Sequence, residues 1–185
     1  MTSTETEYRA FPDVWRRNVM QEVLEVPAMV HALDLPIGGR VLEVGCGRGI
    51  ALPPLDRLLF PERLVGVDID AGLLALARQR AAAAGIVADL ELADVRALPF
   101  ADHSFTLVID FGTCHHIARP GDALREIVRV LEPDGLFVCE TVTSQLLSHP
   151  FRTRGRRLPW HTVAELRTER DAILWKVRRR HRAIA

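Results

Sequence analysis

The sequence predicts an α/β fold with an open, doubly wound and mostly parallel sheet, and three observations carry that expectation. Short apolar runs alternate with helical segments from residue 41 to residue 141, the pattern of strands joined by right-handed crossovers. The first run ends in a glycine loop, Val41-Leu42-Glu43-Val44-Gly45-Cys46-Gly47-Arg48-Gly49. Carboxylates recur where successive runs end, at Glu43, Asp68, Asp94 and Asp110, and such sheets bind ligands at the carboxyl ends of their strands.

Each element follows from local chemistry. Without a Cβ, Gly45, Gly47 and Gly49 can take positive φ and bring main-chain N–H groups close to a bound molecule. On glycines alone, a tight strand-to-helix turn without a ligand stays open. Dinucleotide loops favour G-x-G-x-x-G and set a pyrophosphate on the helix N-terminus. Here the third glycine comes one residue early, and Glu43 puts a negative charge where a diphosphate would be unwelcome. A carboxylate there suits a ligand with a cationic or amino-bearing portion.

Residues 64–70 read as the second strand. Its acid Asp68 lies where, after a glycine loop, a carboxylate can accept from both hydroxyls of a ribose. Asp70 reads as the N-cap of a helix over 71–83, because its side chain can satisfy an orphan backbone N–H. The third strand spans 90–95, before Leu98-Pro99-Phe100; taken alone, Asp94 there is an ordinary turn former. The fourth spans 105–110 and precedes Phe111-Gly112-Thr113-Cys114-His115-His116-Ile117. A helix over 122–131, a turn at Glu132-Pro133-Asp134-Gly135 and a fifth strand over 136–141 complete the series.

In order and spacing these residues resemble the class I S-adenosylmethionine-dependent methyltransferases, whose first motif is an acid followed by x-G-x-G-x-G. The stretch 123–135, with its H-H-I segment upstream, is similar to the small-molecule branch that includes the ubiquinone and menaquinone biosynthesis methyltransferases. The resemblance implies a Rossmann-like methyltransferase fold with S-adenosyl-L-methionine as cofactor. It places Glu43, Gly45, Cys46, Gly47 and Gly49 in the cofactor loop, Asp68 on the ribose with Ile69 beside it, and Asp110 at the same edge. It also implies that Asp94 accepts from the adenine amine while the main-chain N–H of Val95 meets a ring nitrogen. Thr106 departs from the family, which usually has Asp there.

A sulfonium makes its methyl group electrophilic, so such an enzyme mainly holds an acceptor in line and excludes water. Where the acceptor must lose a proton, His115 and His116 are the candidate catalytic bases, because histidine titrates near neutrality. Packing or loop ordering is the alternative for both. Tyr8 and Trp15 lie in an N-terminal helical segment that reads either as a lid or as plain core.

At 185 residues with 48% apolar content, the chain suits a single compact domain. No apolar run is long enough to cross a bilayer, and residues 1–7 are polar and acidic, unlike a signal peptide. The expectation is a cytoplasmic protein without an integral membrane segment. Cys46, Cys114 and Cys139 form no C-x-x-C pair and fit a reducing compartment. No metal is expected, since the adjacent Cys114, His115 and His116 cannot all turn toward one ion.

The neutral net charge conceals two halves. Residues 1–150, read as the cofactor-binding domain with its N-terminal lid, carry 13 basic and 21 acidic side chains; residues 151–185 carry 11 and 3. The latter read as a basic loop and an amphipathic helix over 162–182, without the antiparallel strand pair that usually closes the family's sheet. This tail could dock on the body, form a homodimer, meet an anionic membrane surface or hold RNA. Three functions follow: methyl transfer to a small molecule, methylation of RNA with the tail as phosphate-binding arm, or a non-catalytic cofactor-binding or assembly subunit.

Overall fold

The computed structural model describes residues 14–140. The sequence expectations that fall on Tyr8 and on residues 141–185, including the basic helix and the lacking strand pair, lie outside them.

Among the described residues, five strands form one sheet in the order β3-β2-β1-β4-β5, and all neighbours are parallel. They are β1 (Arg40–Val44), β2 (Arg63–Asp68), β3 (Asp89–Leu92), β4 (Phe105–Asp110) and β5 (Leu131–Cys139). The chain winds outward from β1 to β3 and then returns to start again at β4. That reversal puts the switch in strand order between β1 and β4, where their carboxyl ends open a crevice.

Among the described residues, five α-helices accompany the sheet. The N-terminal segment runs as α1 (Val14–Met20), a π-helical turn (Gln21–Glu25) and α2 (Val26–Leu33). It is followed by α3 (Leu52–Leu59), α4 (Ala71–Ala84) and α5 (Pro120–Val130). Right-handed crossovers set α3 and α4 on one face and α5 on the other.

Local chemistry explains the boundaries. Asp70 caps α4 as expected, its Oδ1 accepting from the N–H groups of Gly72 at 2.8 Å and Leu73 at 3.0 Å. The second strand stops at Asp68, two residues before its sequence-read end, because Asp70 already belongs to the cap. Sequence patterning did not place α3. Pro53 and Pro54 break the apolar rhythm, yet proline is tolerated in a first turn whose N–H groups have no helical partner.

The fifth strand begins earlier than its apolar pattern suggests. Leu131 already pairs with Phe105, and Leu136 pairs with Leu107, so 132–135 form an irregularity inside the strand rather than a turn before it. Gly135 is required there, since a Cβ would lie 2.9 Å from the carbonyl oxygen of Glu132.

Pleating divides the core. Leu42 and Val44 join Val65, Val67, Val108, Ile127 and Val130 in one cluster, all buried. Phe105 is fully buried within it and meets Phe100 edge to face at 5.0 Å. Each such side chain contributes roughly 1.5–3 kcal/mol by leaving water. Val41 and Glu43 alternate to the opposite face.

Candidate functional site

Gly45 leaves β1 with φ +66°, and a Cβ there would run into the Thr113 hydroxyl, which itself donates to the carbonyl of Val44 at 3.2 Å. The loop is thus pinned to the segment after β4. Cys46 donates its N–H to the carbonyl of Val67 at 2.9 Å, and Gly49 donates to the carbonyl of Cys46 at 2.8 Å. Gly49 also packs tightly, a Cβ meeting that of Ala77 on α4 at 3.0 Å. Gly47 is different: with φ +53°, it has open space where a Cβ would stand. Gly45 and Gly49 face protein, whereas Gly47 faces open space.

Asp68 fixes that geometry. Its Oδ2 accepts from the Gly47 N–H at 2.8 Å and its Oδ1 from the Asp70 N–H at 2.9 Å. Each carboxylate oxygen keeps a further lone pair, so Asp68 clamps the loop and retains acceptor capacity. Ile69, next along the chain, is 67% exposed at the same edge.

Glu43 sits inside the sheet, opposite Gly66 of β2 and Ile109 of β4, and is only 2% exposed. Its Oε2 is buried without a hydrogen-bond partner. Burial pushes its pKa up to about 8, with Asp68 and Asp110 adding to the rise and Arg17 of α1 opposing it. A buried carboxylate needs a partner or a proton. In the folded chain this one favours its protonated form at neutral pH.

Asp110 is occupied by its own backbone. Its Oδ1 accepts from the Thr113 N–H at 2.5 Å and its Oδ2 from the Cys114 N–H at 3.1 Å, capping the 3₁₀ turn Thr113–His115. It therefore organises the loop carrying the two histidines. His116 is exposed just after that turn, and the His115 backbone lies within it.

Asp94 stands two residues beyond β3, paired with Arg96, and that hydrogen-bonded pairing holds its carboxyl below the usual range. Val95 beside it is buried. The thiols of Cys46 and Cys114 are pushed far above their ordinary value by burial first, then by neighbouring carboxylates, and Cys139 is raised to about 11. Such thiols are poor nucleophiles. Among the described residues, no three His, Cys, Asp or Glu side chains are grouped to hold a metal ion.

Glu126 and Arg129 matter here too, although sequence patterning did not single them out. Arg129 of α5 donates to the carbonyls of Leu98 and Phe100 and to Asp102 and Glu126, while Glu126 accepts from the Leu98 N–H at 2.8 Å. The pair holds the loop that follows Asp94 and Val95. Their i,i+3 spacing in A-L-R-E-I-V-R-V-L was a visible signal; their partner was not. Thr106, the departure from the family pattern, ties the start of β4 to Arg40, whose N–H it accepts and whose carbonyl it donates to, both at 3.0 Å. That contact lies at the amino end of the sheet, away from the crevice.

Residues 42–139 match the family model described as a methyltransferase domain. The chain belongs to this methyltransferase-domain family. The match begins inside β1 and ends at the last residue of β5, so it reaches all five strands and includes Glu43, Asp68, Asp94 and Asp110.

Named relatives agree. The chain is 32% identical over 123 residues to a ubiquinone biosynthesis O-methyltransferase of Ruegeria pomeroyi, covering 66% of this chain and 49% of that one. It is 36% identical over 107 residues to a phthiotriol/phenolphthiotriol dimycocerosates methyltransferase of Mycobacterium tuberculosis, covering 57% and 39% respectively. The chain thus spans half or less of the length of these curated relatives. Among solved structures, the PH0226 protein of Pyrococcus horikoshii superposes with a TM-score of 0.63 at 26% identity, over 83% of this chain and 73% of that one. The methyltransferase domain is therefore present in both sequence and fold, as the glycine loop led one to expect.

Proposed function

We propose that this chain binds S-adenosyl-L-methionine and transfers its methyl group to a small, partly apolar acceptor. One observation carries the reading: the unpartnered, buried Oε2 of Glu43 beneath a glycine loop whose open position is Gly47. A ligand without an N–H or O–H donor would leave that oxygen unanswered. A nucleoside with a cationic amino-acid tail answers it.

In this reading, Glu43 and the backbone of Gly45, Cys46, Gly47 and Gly49 hold the cationic tail. Asp68 accepts from the ribose hydroxyls with its remaining lone pairs, Ile69 lies along the nucleoside, and Asp94 and the N–H of Val95 meet the base. The bound cofactor supplies an electrophilic methyl group. The chain's part is to align an acceptor and exclude water. Asp110 orders the Thr113–His115 turn, and His115 and His116 are the candidate bases. A small-molecule acceptor is supported by the names of the relatives, a ubiquinone biosynthesis O-methyltransferase and a phthiotriol/phenolphthiotriol dimycocerosates methyltransferase.

Among the described residues, no helix is long and apolar enough to cross a membrane. Together with three free cysteines, this supports a place in the reducing cytoplasm. The competing readings, an RNA acceptor or an assembly subunit, rest on residues 151–185, outside the described residues.

Calorimetry with S-adenosylhomocysteine, followed by transfer of a labelled methyl group into a metabolite extract, tests the proposal. Saturable one-site binding with label in an organic-extractable product is expected. Absence of binding in the wild type, with Asp68→Ala indistinguishable from it, would end the reading.

A further inference from the structure

We propose that Arg96 tunes nucleoside affinity and base selectivity by competing with the base for Asp94. The inference rests on the reading of Asp94 as the adenine acceptor. It adds a residue that reading did not contain.

The geometry is specific. The main-chain carbonyl of Asp94 accepts from Ala97 at 2.9 Å and closes a turn that places residue 96 back over residue 94. Arg96 then addresses the same carboxylate through three donor groups. Its backbone N–H donates to Oδ1 at 2.9 Å, its Nε donates to Oδ1 at 2.9 Å and Oδ2 at 3.0 Å, and its Nη2 donates to Oδ2. Two carboxylate oxygens offer about four lone-pair sites, so this one residue engages nearly all the acceptor capacity an exocyclic amine would need.

The surrounding charges let the guanidinium leave. Asp122 at the start of α5 attracts Arg96 and is itself paired with Arg119 and Arg125, while Arg119 also bears on Asp94. Arg96 can shift toward Asp122 when a base takes Asp94. Both side chains are partly solvent-exposed, at 22% for Arg96 and 30% for Asp94, so the exchange involves no buried charge.

Base selectivity follows from donor and acceptor chemistry. A bare carboxylate accepts from the 6-amino group of adenine and repels a 6-oxo group. Arg96 weakens the first contact, and its own N–H groups offer the second a donor. The wild-type chain therefore separates the two bases less sharply than Asp94 alone would.

Isothermal titration of wild type, Arg96→Ala and Arg96→Lys with S-adenosylhomocysteine and with S-inosylhomocysteine tests this, with thermal unfolding as a check that each variant folds. Removing an exposed competing ion pair should tighten the adenine ligand by about threefold. The ratio of adenine to 6-oxo affinity should rise roughly tenfold in Arg96→Ala, because the lone carboxylate then faces an unmatched acceptor. Arg96→Lys, which keeps the charge without the planar fork, should fall between. An Arg96→Ala ratio equal to or below that of the wild type overturns the proposal while leaving the cofactor reading intact. If neither nucleoside binds the wild type or the variants, the cofactor reading fails and the role of Arg96 falls with it.

Discussion

Replacing Glu43 with glutamine should make the empty protein more stable at neutral and alkaline pH, although it removes a side chain expected to serve binding. In the folded chain this carboxyl has a pKa of about 8, against 4.5 for an ordinary glutamate. A raised folded pKa means that the fold favours the protonated form. The group's full contribution is present below pH 4.5 and is lost as pH rises through about 8. Each unit is worth about 1.36 kcal/mol, so the 3.5-unit gap sets a ceiling of roughly 5 kcal/mol on what ionisation removes, most of it between pH 5 and pH 8. Glutamine is nearly isosteric with the protonated acid and does not titrate. Urea unfolding of wild type and Glu43→Gln from pH 5 to pH 9 isolates the effect, because other titrating groups cancel in the difference. The variant's advantage should grow by about 3 kcal/mol or more across that range and then level off. A difference that stays flat with pH would refute the argument, since Glu43 would then ionise as freely in the fold as in the unfolded chain.

The same carboxyl links ligand and proton. At pH 7, S-adenosylhomocysteine should release about one proton per site from the wild type and close to none from Glu43→Gln, read from calorimetry in buffers of different ionisation enthalpy. Gly47→Ala should lower stability by only about 1–2 kcal/mol, the cost of a Cβ at positive φ in open space, yet obstruct the ligand. Gly45→Ala should lower the melting temperature much further, because its Cβ would collide with Thr113. Arg129→Ala should cost about 1–3 kcal/mol by leaving the Leu98 and Phe100 carbonyls without their donor, and should weaken nucleoside binding more than it changes the rate at saturating ligand. A variant with wild-type unfolding and binding would show that the 98–102 loop holds itself.

How much was legible in the sequence depends on the range of each interaction. The cap at Asp70, the glycine loop after β1 and the alternation of apolar runs all act within a few residues, and they foretold helix, turn and parallel sheet. The start of α3 and the irregularity in β5 were obscured because prolines and a Glu-Pro-Asp-Gly stretch look like breakers. Whether they break an element depends on which N–H groups the fold needs there. For α3 those groups belong to a first turn, and in β5 the strand bulges around them.

The sequence by itself determined the family, the sheet and the residues at its carboxyl edge, because strand alternation and glycine conformation are encoded locally. Only the tertiary structure decided what those acids do. Asp110 turns to backbone N–H groups, Asp68 clamps Gly47, Asp94 is held by Arg96, and Glu43 alone among these four is left with a buried oxygen lacking a partner. These four carboxylates look alike in the chain. Burial, and the partners that the folded loops bring to each, give them different surroundings and different tasks.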